Sequence, residues 1–314
     1  MGTSLRGVIL AILAGCAWGF SGACGQYLFQ NYSFDAKFVT AVRLFSAGII
    51  LVVFNFLRSK KASLAIFNNK KDFVELLKFT LLGLLPGQLF FLMVIEASNA
   101  GTATVLQYTS VIMVMVYVCF VEKRRPSIRE FMSLVLVVFG TILLATRGDF
   151  TSLYLSPKVL GMGFISALGL ALTNIFPKNI IQKYDVKVII GYAMFTNGFI
   201  LTIYESTQQI TGIIDFNAII ALIGLSIIGT VLAFDFYLKG LSAIGPAKAS
   251  MLCTTEPVSA VILSACWLGT VFVKSDILGI VLIISAVLLL SYDSLKKDRA
   301  LEEDLREKLN KSNN

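Results

Sequence analysis

The chain is 314 residues long, 56% hydrophobic and only 15% charged, with a mean hydropathy of +0.80. A soluble domain carries roughly 25% charged residues, and the apolar residues here come in runs of about 20, so the sequence excludes an ordinary soluble protein and reads as a polytopic membrane protein. The net charge of +8 is concentrated in short connections, a mark of membrane orientation that gives no reason to invoke nucleic acid, and the lack of histidine excludes imidazole-based catalysis, metal ligation and pH sensing within the chain.

Ten apolar spans are predicted, near residues 7–29, 36–57, 74–96, 101–121, 130–147, 158–176, 187–206, 217–239, 246–271 and 275–292. In the first, Leu13-Ala-Gly-Cys16 resembles a lipoprotein cleavage box, but the chain stays membrane-like beyond it, so an uncleaved span is expected. Gly15, Gly19 and Gly22 share one face of that span and permit close helix approach. Trp18, beside them, is a candidate platform for an organic solute and equally a core- or lipid-facing ring. The five cysteines (Cys16, Cys24, Cys119, Cys253 and Cys266) lie in apolar runs with no zinc spacing and read as small buried residues.

Arg43, two turns into the second span, is either an internal counter-charge or a snorkelling side chain. Pro86-Gly87-Gln88 is expected to break the third span near its middle, which makes the Gln88 amide a candidate solute contact; a simple kink is the alternative. In the fourth, Gln107-Tyr108-Thr109-Ser110 covers every face of one helical turn, so at least one of these side chains must meet an interior or a cavity. The sixth ends in Thr173-Asn174, with Ser166 two turns earlier. The eighth carries Phe234-Asp235-Phe236-Tyr237, and Asp235 is spaced to pair with Lys239.

The ninth predicted span holds Glu256 and Pro257 at its centre. A charge at mid-membrane costs about 3 kcal/mol on insertion scales. Pro257 cannot donate to the Cys253 carbonyl, and lipid cannot satisfy that acceptor, so the segment is expected to face protein or a wet cavity. It is a candidate solute pathway; the plainer alternative is a proline kink whose carboxylate pairs with a basic neighbour, Arg43 among them. Glu256 is the first candidate for a proton carrier and Asp235 the second.

Basic residues fix the expected orientation. With the N-terminus inside, the inner connections collect Arg58, Lys60, Lys61, Lys70 and Lys71, then Lys123, Arg124, Arg125 and Arg129, then Lys178, Lys183 and Lys187. The outer connections hold Lys37, Arg147, Lys158 and Lys274 against Asp35, Asp149, Glu205, Asp215 and Asp276. Both termini are therefore expected in the cytoplasm, with the protein multi-pass in the cell membrane. The sequence also repeats. Phe45-Ser-Ala-Gly-Ile-Ile-Leu51 matches Phe195-Thr-Asn-Gly-Phe-Ile-Leu201, and Ser98-Asn-Ala-Gly-Thr-Ala103 matches Ser242-Ala-Ile-Gly-Pro-Ala247. The fold expected is an all-α membrane protein of ten transmembrane helices in two five-helix repeats, residues 1–147 and 148–292, followed by a charged cytoplasmic tail, 293–314. Because five is odd, the second copy must be inverted, and inverted repeats place a binding site between them near the midplane. In the tail, Leu301, Leu305 and Leu309 form one helical stripe, either a solvated helix or one that binds a partner or a second copy, which leaves room for a homodimer.

Taken together, Trp18-Gly19, Arg43 with Ala47, Gly101-Thr-Ala-Thr-Val-Leu-Gln-Tyr-Thr-Ser110, Gly245-Pro-Ala247 and Glu256-Pro257 make the chain resemble the EamA group of the drug/metabolite transporter superfamily. It departs from the family pattern at Val111, where proline is common, and at Thr270, where glutamate is common. The resemblance implies a central cavity lined mainly by spans one, three, four, six, eight and nine, and transport, often export, of small metabolites, amino acids or drugs. Other branches of the superfamily handle nucleotide sugars, phosphate esters or quaternary amines. No nucleotide-binding loop or zinc-protease motif is present, so no enzyme activity and no cofactor are expected, and energy would come from a proton or solute gradient. The expected partners are a small-molecule solute, the lipid bilayer and protons. A non-transporting receptor or scaffold is the alternative, favoured only by the tail helix.

Overall fold

The computed structural model describes residues 2–205 and 214–290. The tail and its leucine stripe, and the ends of the seventh and tenth predicted spans, lie outside the described residues. Among the described residues all regular structure is helical, and eight helices are long and apolar enough to cross a membrane. These are α1 (Leu5–Asn31), α2 (Ala36–Arg58), α3 (Lys70–Ala97), α4 (Ala100–Val121), α5 (Ile128–Thr146), α6 (Pro157–Lys178), α7 (Val186–Tyr204) and α8 (Phe216–Ile244). Then come two shorter helices, α9 (Pro246–Leu252) and α10 (Thr255–Cys266), and a last one, α11 (274–290). The bundle's surface carries large apolar side chains, Leu57 81% and Phe120 83% exposed among them, as a lipid-facing protein requires.

Side-chain caps start the helices where the connections are short. Asp35, Asn99, Ser156 and Asp215 each accept a backbone N–H of the first turn of α2, α4, α6 and α8, and Ser127 with Glu130 forms a reciprocal capping box on α5. Without water to drive apolar association, the helices are held by close backbone approach at small residues. The contact between α2 and α7 is extensive, and it is reciprocal. A Cβ on Gly48 would collide with the backbone of Phe195, and a Cβ on Gly198 with the backbone of Phe45. These are the two strings whose sequences match. Likewise, a Cβ on Gly140 of α5 would lie 2.7 Å from the Gly279 carbonyl oxygen, and one on Gly279 of α11 would lie 2.7 Å from that of Gly140.

Three expectations need correction. The ninth predicted span, 246–271, is not one helix: it turns at Cys253 and Thr254, two residues before Glu256, and helix α10 stops at Cys266, with 267–273 outside regular helix. Pro86 does not break the third span. The helix instead widens to a π stretch over Phe79–Leu84 and resumes as α-helix through Pro86 to Ala97. An i→i−5 bond from the Leu85 N–H to the Thr80 carbonyl shifts the register just before the proline, so its missing donor is absorbed without a gap. Helix α8 carries a corresponding π stretch, Gly224–Leu232, with no proline in it. Helix α4, expected to be continuous, is interrupted by a turn at Tyr108 and Thr109, between Ala100–Gln107 and Ser110–Val121.

Both ends of the bundle are tied across the two halves. At the basic end, Asp72 accepts from Lys183 Nζ at 2.9 Å and Tyr184 Oη at 2.8 Å, and Arg58 lies 3.7 Å from Asp185. At the other end, Tyr32 Oη donates to Asp215 Oδ1 at 2.6 Å, and Arg147 pairs with Asp276 at 3.2 Å. The buried Gln26 donates to Thr270 Oγ1 at 2.8 Å, while its carbonyl accepts from the Ala100 N–H and Ser264 Oγ, both at 2.9 Å.

Replacing either Gly48 or Gly198 with leucine forces α2 and α7 apart. Each substitution is expected to cost about 1–3 kcal/mol of stability, by a similar amount because the contacts are mutual; paired thermal-unfolding curves in detergent check this. The Tyr32–Asp215 bond gives a pH-dependent contribution. The Tyr32 hydroxyl, then the Ala218 N–H, hold the Asp215 carboxyl below the usual carboxylate range, and the carboxylate pushes the Tyr32 hydroxyl above its ordinary value. A depressed acid stabilises above its unfolded pKa of about 4 and loses that contribution as pH falls through the lowered value. The melting difference between wild type and Tyr32→Phe should therefore be present at pH 7 and shrink towards zero as pH drops below about 4.

Candidate functional site

The turns in α4 and between α9 and α10 face each other, and their contact is the centre of the candidate site. Pro257 frees the Cys253 carbonyl, which accepts from the Glu256 N–H at 2.9 Å and from the Tyr108 hydroxyl at 3.0 Å. The same hydroxyl lies 3.1 Å from Glu256 Oε2. The acceptor expected from sequence is thus satisfied by the polar cluster of the fourth span. Glu256 and Tyr108 are each half-buried. The turn is docked on α1: Cys253 Sγ lies 3.5 Å from the Ala11 carbonyl, Thr255 Oγ1 donates to the Ile12 carbonyl at 3.3 Å, and Gly15 and Gly19 leave no room for a Cβ against Thr255 and Ser259. The small-residue face of the first span is therefore what lets the Glu256 turn approach.

Aromatic rings flank this cluster. Trp18 meets Phe234 edge-on at 5.3 Å and Tyr237 at 5.5 Å, which fixes α1 against α8. Tyr237 is in turn close enough to Tyr108 and Cys253 to interact electrostatically. Arg43 is 5% exposed; its Nε donates to Thr230 Oγ1 of α8 at 3.0 Å, and its Nη1 is buried without a hydrogen-bond partner. Arg43 and Glu256 interact through space but form no direct ion pair among the described residues.

The other sequence candidates lie elsewhere. The Gln107 amide is buried and donates to the Gly87 carbonyl at 2.9 Å and to Ser166 Oγ at 2.8 Å, clasping α3, α4 and α6 where backbones meet at Gly87 and Gly169. Gln88 is half-buried, and exposed Asn174 donates to its own helix at the Leu170 carbonyl. Asp235 pairs with Lys239 at 2.6 Å, as its spacing suggests, but also with Lys187 of α7 at 2.5 Å. Two residues escaped sequence reasoning. Asn197, fully buried in α7, donates to the Thr80 carbonyl at the start of the α3 π stretch, much as Arg43 reaches Thr230 in the α8 π stretch. Gln26 organises the end of the bundle remote from the basic connections. Each was a polar residue in an apolar run, the same signal that marked Glu256.

An all-helical bundle with lipid-facing apolar walls and a protonatable cluster inside it is the layout of a membrane transport protein. Residues 5–146 and 157–292 each match the EamA-like transporter family, and the chain belongs to that family. Over 300 residues, 96% of this chain and 100% of the relative, it is 38% identical to the "Uncharacterized inner membrane transporter YicL" of Salmonella typhimurium. It is 23% identical over 193 residues to an "Uncharacterized transporter" of Methanothermobacter thermautotrophicus, a match that spans 61% of this chain and 55% of that protein. A solved structure described as "Crystal structure of protein" superposes with a TM-score of 0.62, covering 94% of this chain and 98% of the other at 12% identity, a likeness of fold alone.

Tyr108→Phe keeps the ring and removes the hydroxyl, leaving the freed Cys253 carbonyl with the Glu256 N–H alone. It should cost about 1–3 kcal/mol in detergent unfolding, and Phe234→Leu, which leaves those hydrogen bonds intact, should not reproduce its effect on a Glu256 carboxyl stretch followed by infrared spectroscopy.

Proposed function

We propose that the protein is a secondary transporter of a small amphipathic organic solute, an amino acid or drug-like amine, which it exports from the cell in exchange for protons. The reading takes the chain as ten spans in two inverted five-helix units, in the cell membrane, with both termini cytoplasmic. Several observations support that layout: the double family match, the mutual α2–α7 and α5–α11 contacts, and the paired π stretches and turns. Helices α9 and α10 together would reach about 30 Å, enough for one crossing. The basic end then faces the cytoplasm.

The observation that carries the mechanism is a shortage of hydrogen at the central cluster. With Glu256 ionised, the Tyr108 O–H is the donor for two acceptors, the carboxylate and the Cys253 carbonyl. When Glu256 binds a proton, its O–H donates to the Tyr108 oxygen, freeing the tyrosine hydrogen for Cys253, and the chain of bonds is complete. A solute ammonium at Glu256 supplies the missing hydrogen equally well. Proton and cationic solute thus compete for one group, which is the requirement for exchange. Trp18, Phe234 and Tyr237 offer an apolar wall to the rest of the solute, and the unpartnered Nη1 of Arg43 supports a zwitterion whose carboxylate it would meet. Asp235, held between two lysines, is the poorer proton carrier. A phosphate ester calls for a pair of basic groups at the cluster, and Lys187 and Lys239 lie instead in a groove that Glu256 and Tyr108 do not line.

Liposomes loaded with a pH-sensitive dye test this reading. A panel of amino acids and small aromatic amines should include solutes that evoke proton counterflow through wild type. Glu256→Gln, a fixed mimic of the protonated acid, should lower that counterflow by about tenfold or more. Proton movement unchanged in Glu256→Gln sinks the coupling role, and a panel with no active solute sinks the transport reading for these classes.

A further inference from the structure

A groove of about 320 Å³ opens on the flank of the bundle between α2, α7 and α8, towards their basic-end termini. Ile50, Phe54, Ile190, Leu232, Phe234 and Leu238 give it apolar walls, and Phe54 and Leu232 are 53% and 39% exposed on its lipid side. Its charged lining residues are Lys187, Asp235 and Lys239. Glu256, Tyr108 and Trp18 do not line it; it adjoins the cluster described above through the Phe234 ring.

The charges in the groove do not cancel. Lys187 Nζ meets Asp235 Oδ1 and Lys239 Nζ meets Oδ2, so one carboxylate is shared by two ammonium groups and one positive charge is left over. Each ammonium has three donors and gives one to Asp235. The Lys239 side chain is 58% exposed, and the Lys187 ammonium lies 5.9 Å from the centre of the Phe54 ring, at the boundary between charge and apolar wall. Lys187 is the second residue of α7, and long lysine stems reach from the end of a span towards the membrane surface. A single surplus cation above an apolar slot open to lipid complements a headgroup of net charge −1 above an acyl chain.

We propose that this groove binds one anionic phospholipid from the surrounding bilayer, with its phosphodiester on Lys187 and Lys239 and an acyl chain along Ile50, Phe54 and Leu232. Asp235 spaces the two ammonium groups and holds the net charge at a value that fits one phosphodiester.

The test is native mass spectrometry of the full-length protein released from nanodiscs of equimolar phosphatidylglycerol and phosphatidylcholine. Wild type should retain one phosphatidylglycerol and little phosphatidylcholine. Lys187→Gln with Lys239→Gln should reduce phosphatidylglycerol retention about fivefold or more. Ile50→Trp, which fills the slot and leaves the charges in place, should do the same, and it serves as the deciding variant should the double substitution fail to fold. The proposal is overturned by equal retention of the two lipids in wild type. Undiminished phosphatidylglycerol binding in the folded variants also overturns it, as does displacement of the lipid by millimolar inorganic phosphate, which would make the site one for free phosphate.

Discussion

Hydrocarbon offers no hydrogen bonds, so every backbone group released inside a membrane helix must be met by the protein itself. Pro257 releases one such group, the Cys253 carbonyl, and much of the central architecture follows from how it is met. The chain turns there, and α4 turns opposite it to bring the Tyr108 hydroxyl within 3.0 Å. Helix α1 gives up side chains at Gly15 and Gly19 so that the turn can lie against it. Glu256 is then drawn to the same hydroxyl by its place one residue before the proline. A backbone defect and a carboxylate thus share one donor.

The π stretches meet the same constraint in another way. A π turn shifts the ladder by one residue without opening a gap, but it leaves carbonyls poorly aligned and side chains out of register. In α3 the Asn197 amide from the other half donates to Thr80, and in α8 the Arg43 guanidinium from the other half donates to Thr230. Each irregular helix is therefore braced by a polar side chain of the opposite unit. If one unit moved against the other, these braces would change along with the turns at Tyr108 and Cys253, so the irregular backbone is concentrated where the two units touch.

Much of this was legible in the sequence. Glu256, Pro257, Arg43, Tyr108 and Gln107 stood out because a polar atom in an apolar run has to find a partner, and the repeat was visible in the strings that pack α2 on α7. The choice of partner was not legible. Arg43 reached Thr230 rather than Glu256, Asp235 gained Lys187 from a distant helix, and Gln107 became a clasp on Gly87. Such pairings depend on which helix faces lie together, and spacing along one helix says nothing of that. The π stretches were hidden for a different reason. Their residues, Phe-Thr-Leu-Leu-Gly-Leu and Gly-Leu-Ser-Ile-Ile-Gly-Thr-Val-Leu, continue the apolar run of an ordinary span, so hydropathy does not mark the register shift.

The two units share a backbone plan but not a chemistry. The turn in α4 carries Tyr108 and Thr109, neither of them an acid, whereas the turn before α10 carries Cys253 and Thr254 and leads to Glu256 and Pro257. Residue for residue, the donor comes from one unit and both acceptors from the other, so the central contact cannot be made twice. Duplication supplies two related units; divergence at a few positions leaves one of the two turns leading to a carboxylate and the other not. An acid on both turns would set two carboxylates against one another at mid-membrane, where each charge is costly alone and costlier beside its like. An acid on one turn and a hydroxyl on the other avoids that repulsion, and under the proposed function it lets the boundary carry one proton or one ammonium at a time.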